Sequence, residues 1–266
     1  MKTLKILSLN CFESPFSRTN NSRITRLTKE ILTLEPDILC LQEIIFSKTA
    51  KKLDRALANK GYFSVYKPGA IFNWGGLFFA SKLLPDKKEY IRFKKSGLLF
   101  SLAVTEKIIK KGYQKIELCL NPKITILNTH LLCLFPFGRK SHKKTQAAQL
   151  SQIIEDIQRN IRNFFVFSGD FNFQPSDALY KTLRSQLKII DPLLTSTKPT
   201  VVKSNTNRKA FFWPKENARV DYTLLSANPN LTRVRQQIIF EQTYQIRNRE
   251  LNLSDHYAIL TELKIS

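Results

Sequence analysis

The sequence predicts an α/β fold, and three observations carry that expectation. Short apolar runs recur along the chain and several close on a polar or charged residue, as buried strands do. Between them lie segments whose apolar residues return every three or four positions, the stripe of a packed helix. The middle, residues 62–127, is instead a series of short apolar runs parted by turn signals, which predicts antiparallel sheet. No repeat, low-complexity tract or linker breaks the 266 residues, so a single domain over 1–266 is expected.

The elements follow in order. Residues 4–10, LKILSLN, read as a strand whose apolar pattern stops at Asn10. Ile24, Leu27, Ile31 and Leu34 then share a helical face, with Asn21 or Ser22 as cap and Pro36 as terminator. DILCLQE, residues 37–43, is a second strand that presents Glu43 at its end. Residues 49–60 form a helix with Leu53, Ala56 and Leu57 inward and Gly61 as its stop. The middle section supplies FSVY, GLFFAS, SGLLFSLAVTE, KIELCL and KITIL as strands.

ITILNTH, residues 124–130, again ends an apolar run in polar residues, with His130 at the tip. A long helix is expected over 143–163, facing the core with Ala147, Leu150, Ile153, Ile154, Ile157 and Ile161. FFVFSGDFNF, residues 164–173, is the most informative stretch: an uninterrupted apolar strand delivers Asp170 and Asn172 at its C-terminal end. If extended geometry continued through Phe171, the two side chains would share one side. A helix over 176–187 follows, then a strand RVDYTLLS with Asp221 embedded in it, and last SDHYAILTELKI, which begins with Asp255 and His256.

Composition narrows the function classes. An apolar content of 42% supplies a full core and excludes a disordered chain. No apolar run nears the roughly 20 residues a membrane helix needs, and the N-terminus MKTLKILSLNCF lacks the pattern of a signal peptide. A cytoplasmic or peripheral-membrane location is expected, and a monomer. Cys11, Cys40, Cys119 and Cys133 form no CxxC, so structural zinc is disfavoured and buried thiols in a reducing compartment are expected. The net charge of +22 predicts attraction to polyanions, whether nucleic acid, anionic membrane or phosphorylated substrates.

Asn10, Glu43, His130, Asp170, Asn172, Asp221, Asp255 and His256 each sit at or near the polar edge of an apolar segment. Hard oxygen ligands of this kind suit Mg²⁺, imidazoles move protons or bind oxyanions, and amides hold phosphate oxygens. Together they are equipment for hydrolysing a phosphodiester with a metal-assisted water.

The order LSLNC, LQE, NTHL, GDFN, RVDY and SDH resembles the endonuclease/exonuclease/phosphatase superfamily over nearly the whole chain. Within it, GGLFFASK at residues 75–82, NTHL at 128–131 and RVDYTLL resemble the neutral sphingomyelinase branch. Abasic-site endonucleases carry Trp before that Arg and Thr-Lys after QE, whereas Ala218 and Ile44-Ile45 stand here. The resemblance implies a four-layer, DNase-like sandwich of two mostly antiparallel sheets flanked by helices, with the strand ends meeting in one cleft. It also implies roles. Glu43 would ligate Mg²⁺ or Mn²⁺, helped by Asn10, with Asp255 in the metal's shell. Asn172 and His130 would grip phosphate oxygens, with Asn10 also placing substrate. Asp170 and His256 would share the water, either one as base, and Asp221 would hold the His256 tautomer.

The resulting expectation is a Mg²⁺-dependent phosphodiester hydrolase of the sphingomyelinase type acting on a lipid head group. The alternatives are a basic nuclease on DNA or RNA, an inositol-phosphate phosphatase, and a catalytically dead protein that binds membrane or nucleic acid. Residues 131–144, LLCLFPFGRKSHKK, read equally as a buried loop anchor or as an anionic-membrane dock from Phe135 to Lys144. His142 is expected on a solvated basic face, and Trp74 and Trp213 in core packing.

Overall fold

A computed structural model describes residues 2–14, 17–97, 105–134, 140–208, 216–228 and 231–265. One six-stranded sheet holds β1 (Lys2–Asn10), β2 (Ile38–Gln42), β3 (Phe63–Val65), β4 (Phe78–Ser81), β11 (Leu231–Ile239) and β14 (Ala258–Ile265). Its order is β11-β14-β1-β2-β4-β3, and β1 runs parallel to β2 while its other neighbour, β14, is antiparallel. The second six-stranded sheet holds β5 (Pro85–Arg92), β6 (Gly112–Leu118), β7 (Ile124–His130), β8 (Phe164–Asp170), β9 (Ile189–Ile190) and β10 (Asp221–Ser226). Its order is β5-β6-β7-β8-β10-β9, with β7 parallel to β8 and the remaining pairs antiparallel. A small hairpin, β12 (Tyr244–Ile246) with β13 (Arg249–Leu251), completes the strands.

Alternation along the strands builds three apolar layers. Leu4, Ile6, Ile38 and Cys40 of the first sheet meet Ile124, Ile126, Phe164, Val166 and Leu225 of the second, so the sheets pack face to face. Leu7, Leu9, Leu39 and Leu41 point the other way, against α1 (Asn20–Leu34) and α2 (Ser47–Ala58). Leu127, Phe165 and Phe167 pack on α4 (Lys140–Asn160) and α5 (Ala178–Gln186). The result is the helix–sheet–sheet–helix order expected, with a short α3 (Thr105–Ile108) between β5 and β6.

The central strands share one further pattern. On the face turned to the opposite sheet, β1 reads Leu4, Ile6, Ser8, Asn10 and β7 reads Ile124, Ile126, Asn128, His130. β8 reads Phe164, Val166, Ser168, Asp170. Each strand switches from apolar to polar at the same end of the sandwich, and the polar ends bond across the gap. Gln42 donates to Asn128 Oδ1 at 2.8 Å, and Asn128 donates to Gln114 Oε1 at 2.9 Å. Gly169 lets β7 and β8 approach here, because a Cβ on it would lie 2.0 Å from the Thr129 carbonyl oxygen.

Several expectations are corrected. The middle section is not one meander: β3 and β4 belong to the first sheet, and β5, unforeseen in its charged PDKKEYIR, is an edge strand of the second. Of the SGLLFSLAVTE strand, residues 98–104 lie outside the described residues, and Thr105–Ile108 is helical. The first helix is capped at Thr19 rather than Asn21 or Ser22. Helix α4 starts at Lys140, α5 at Ala178, and β14 only at Ala258, leaving Asp255 and His256 in the preceding turn. His142 is buried, 1% exposed, because it lies on the core-facing side of α4 and not on a solvated face. Cys11 and Cys40 are buried, but Cys133 is half-buried and Cys119 exposed; all are free thiols. Trp74 is half-buried between lysines and not in the core. Phe135, Phe137, Arg139 and Trp213 lie outside the described residues.

Candidate active site

The polar strand ends converge on one cleft between the sheets. Asn10 closes β1, Glu43 follows β2, His130 closes β7, Asp170 closes β8 and Asp221 opens β10. Strand register aligns His130 with Asp170 and Asp170 with Asp221, so three site groups sit side by side in the second sheet. The Asn10 amide, from the first sheet, spans the gap: Nδ2 donates to Glu43 Oε1 at 3.1 Å and to Asp170 Oδ2 at 3.0 Å. His130 Nε2 stands 3.8 Å from Glu43 Oε1 and 3.6 Å from Asp170 Oδ2.

His256 enters from the turn before β14. Its Nδ1 lies 2.9 Å from Asp221 Oδ2, which fixes the ring, while Nε2 faces Asp170 Oδ2 at 3.8 Å and Asp255 Oδ1 at 3.9 Å. Ser254 secures this turn by donating to the Asn10 carbonyl at 2.5 Å and accepting from the His256 N–H at 3.2 Å.

Asn172 departs from the expected geometry. It has a left-handed backbone, φ 53°, so the strand does not continue and its side chain does not lie parallel to that of Asp170. Instead its N–H donates to Asp170 Oδ1 at 2.9 Å, and its Nδ2 donates to the Leu131 carbonyl at 3.0 Å. Glu43 is likewise left-handed, φ 52°, a conformation that costs a non-glycine residue about 1 kcal/mol or more. The surroundings hold it there: the Ile44 N–H donates to the Gly76 carbonyl and the Glu13 N–H to the Glu43 carbonyl.

Electrostatics separate the two imidazoles. Burial, with Lys111 and His256 nearby, holds His130 well below the usual range, so it is neutral. Burial also opposes charge on His256, but Asp221, Asp255 and Asp170 outweigh it and raise the ring well above the usual range. Asp170 is pushed up to about 7 by burial and by the charge of Asp221. Burial raises Glu43 and Asp255 as well, with Asp255 repelling Glu43. Glu43 keeps 26% of its side chain exposed, so solvent softens that push more than at Asp170, which keeps 2%.

Crowded, buried carboxylates that resist ionisation are what a bound divalent cation would relieve, and the donors are hard oxygens suited to Mg²⁺ or Mn²⁺. Donor atoms of Asp170, Asp221 and His256 lie within 4.8 Å of one another. Asp221 Oδ2 and His256 Nδ1 are already spent on each other, however. Asn10, expected to help hold the metal, turns its Nδ2 to Glu43 and Asp170 while its Oδ1 accepts the Phe12 N–H at 3.0 Å, so the carboxylates of Glu43 and Asp255 fit a cation better.

The structure also places groups that sequence reasoning missed. Lys111 is 7% exposed and its Nζ donates to the Leu131 carbonyl at 3.1 Å. Arg208, 8% exposed, lies close enough to Asp255 and Asp170 to feel their charge. Arg23 is fully buried, and its guanidinium gathers the carbonyls of Cys11, Phe12 and Leu253. Asp191 receives both arms of Arg219 at 2.9 and 3.1 Å, anchoring the segment that leads to Asp221. Lys111 sits in a KKGY turn and Arg23 at a helix start, contexts with no signal for burial.

Comparison with known proteins agrees with this geometry. The model of the Endonuclease/Exonuclease/phosphatase family matches residues 7–256. A Drosophila melanogaster protein described as "Putative neutral sphingomyelinase" is 24% identical over 98% of this chain; the chain spans 61% of that protein's length. Truncated Caenorhabditis elegans TDP2 superposes with a TM-score of 0.73 at 21% identity, covering 98% of both chains. Sphingomyelinase C from Streptomyces griseocarneus superposes with a TM-score of 0.77 at 17% identity, covering 98% of this chain and 99% of the other. Motif order, two-sheet architecture and family match agree: this chain belongs to the endonuclease/exonuclease/phosphatase family, whose members are metal-dependent phosphoric ester hydrolases.

Proposed function

We propose that this protein is a Mg²⁺-dependent phosphodiesterase that releases the head group of a sphingomyelin-type phospholipid. The observation that carries the hydrolytic part is the single cleft in which the Asn10 amide joins Glu43 to Asp170 while Asp221 orients His256 beside that same Asp170. Likeness to the Drosophila protein over 98% of the chain favours the lipid substrate.

In this reading Glu43 and Asp255 would hold the cation, which would supply charge neutralisation at the phosphate, and Asp170 is left to act on the water. Asn172 Nδ2 has a second proton beyond the one given to Leu131, and that proton faces a phosphate oxygen. Neutral His130 donates one N–H to another. Asp170, with a pKa pushed up to about 7, accepts the proton of the attacking water near neutrality. His256, held as imidazolium by its three carboxylates, stabilises charge on the phosphorus centre and gives its Nε2 proton to the lipid oxygen as the P–O bond to the lipid breaks, so the phosphorylated head group leaves carrying the oxygen of the water.

A second reading, a nuclease, is favoured by the charge of +22, since phosphate neutralisation dominates nucleic-acid affinity. The test is turnover with Mg²⁺ on sphingomyelin, other phospholipids, plasmid DNA, RNA and inositol phosphates. Sphingomyelin is expected to lead the panel. His256→Ala is expected to cost about 10²-fold or more, and Asp221→Asn less in the same parameter. Turnover of DNA with none of lipid establishes the nuclease instead, and a fully active Asp221→Asn removes its orienting role.

A further inference from the structure

We infer that two segments on the Glu43 rim of the cleft, residues 67–74 and residues 107–110 at the end of α3, form a docking surface for an anionic phospholipid bilayer. The inference rests on the lipid reading of the active site, since it says how the cleft would be brought to a lipid surface.

The first loop is pinned by hydrogen bonds and displays an apolar tip. Ile71 is 63% exposed although its backbone is pinned: the Ser47 N–H donates to the Ile71 carbonyl at 2.9 Å and Ser47 Oγ to the Gly69 carbonyl at 2.9 Å. Phe72 rests against Phe46 with ring centroids 5.8 Å apart, and the Asn73 N–H donates to the Ile45 carbonyl at 2.8 Å. Packing that holds Phe72 and Asn73 inward leaves Ile71 facing water. These anchors lie within four residues of Glu43, and a Cβ on Gly76 would stand 3.3 Å from the Glu43 Cα, so the loop borders the cleft.

The second segment is fastened to the first through Trp74. Lys67 Nζ and Lys110 Nζ each stand 4.0 Å from the Trp74 ring centroid, and the Gly75 N–H donates to the Ile109 carbonyl at 2.5 Å. Ile108, the last residue of α3, is 54% exposed. Among the described residues no carboxylate pairs with Lys67 or Lys110, and Lys107 beside them is exposed.

Two projecting isoleucines, a half-buried indole and lysines at the same edge match the chemistry of a bilayer interface. Isoleucine enters the acyl boundary, tryptophan sits at head-group depth, and ammonium groups meet anionic lipid. The charge of +22 is complementary to that surface, and its contribution weakens with salt. A nucleic-acid backbone would use the lysines and leave both isoleucines without a partner.

The experiment is co-sedimentation with phosphatidylcholine vesicles, with and without phosphatidylserine and free of sphingomyelin, for the parent and two double variants. The parent is expected to bind the phosphatidylserine vesicles, less so at high salt. Ile71→Ser/Ile108→Ser is expected to lose about tenfold or more of that binding, and Lys67→Gln/Lys110→Gln to lose the preference for phosphatidylserine. Hydrolysis of a soluble phosphodiester is expected to stay at parental level in both. The single variants Ile71→Ser and Ile108→Ser, each expected to weaken binding, serve if the pair lowers the melting temperature. No vesicle binding by the parent, or parental binding by the isoleucine variants, overturns the surface. Loss of DNA binding in the lysine pair with neutral isoleucine variants assigns the face to nucleic acid. Because the vesicles hold no substrate, intact binding without lipid turnover would sink the substrate reading and leave the docking surface standing.

Discussion

Between the two sheets, the same strands build one end from Leu4, Ile6, Ile124, Ile126, Phe164 and Val166 and the other from Ser8, Asn10, Asn128, His130, Ser168 and Asp170. The apolar end is held by contact area, tolerant in detail and cumulative. The polar end is held by pairs: Asn10 with Glu43 and Asp170, Gln42 with Asn128, Ser168 with Thr223 at 2.9 Å. Buried polar groups cost free energy unless each finds its partner. The cleft end therefore specifies geometry, and the far end keeps the strands that carry it in place.

The largest expected effect breaks the polar end alone. Glu43→Gln is expected to lower phosphodiester turnover by about 10³-fold while the melting temperature stays near that of the parent, because Glu43 lies at the rim and packs little. Turnover in a metal chelator should fall comparably. Full activity in chelator would mean that the crowded carboxylates serve something other than a cation.

The converse change addresses the apolar end. Ile126→Ala removes a fully buried side chain between the sheets and is expected to cost about 2–5 kcal/mol of stability by denaturant unfolding. Turnover per folded molecule should be unchanged. If activity fell as steeply as stability, the two ends would be one cooperative unit and the contrast drawn above would fail.

A smaller, pH-dependent effect sharpens the cost of the polar end. Asp170 has a folded-state pKa near 7 against an ordinary value of 3.8, so folding favours its protonated form. Its ionisation penalty is absent below about pH 4, grows as pH rises, and is complete above about pH 7. In chelator, Asp170→Asn is expected to be more stable than the parent at pH 8, with the gap closing toward pH 4. A gap that is constant with pH, or reversed, would show that Asp170 is stabilised rather than strained in the metal-free cleft.

Much of this was legible before any coordinates. The strands that carry Asn10, His130 and Asp170 are read from local apolar runs, as is the one expected to end at Glu43, which closes one residue earlier at Gln42. The Asp221–His256 pairing expected from the motifs appears at 2.9 Å. What local reading missed has physical reasons. The strand PDKKEYIR is an edge strand whose exposed lysines and acid conceal any alternation. Asn172 turns out of the strand because the Asp170 carboxylate captures its N–H, a local bond that competes with extended backbone. His142 is flanked by lysines in sequence yet falls on the core side of α4, because helical period and not neighbouring charge sets the buried face.

By itself, then, the sequence determined the alternation of the central strands and which chemical groups stand at or just beyond their polar ends, since alternation is decided within a few residues. It did not decide how strongly those groups are perturbed. Asn10 and Asp170 are 160 residues apart in the chain and 3.0 Å apart in the fold. Lys111, Arg208 and Arg23 reach the cleft only because distant segments close over them. The raised pKa of Asp170 and the opposed states of His130 and His256 come from burial and from charges on other strands, so only the tertiary structure could set them.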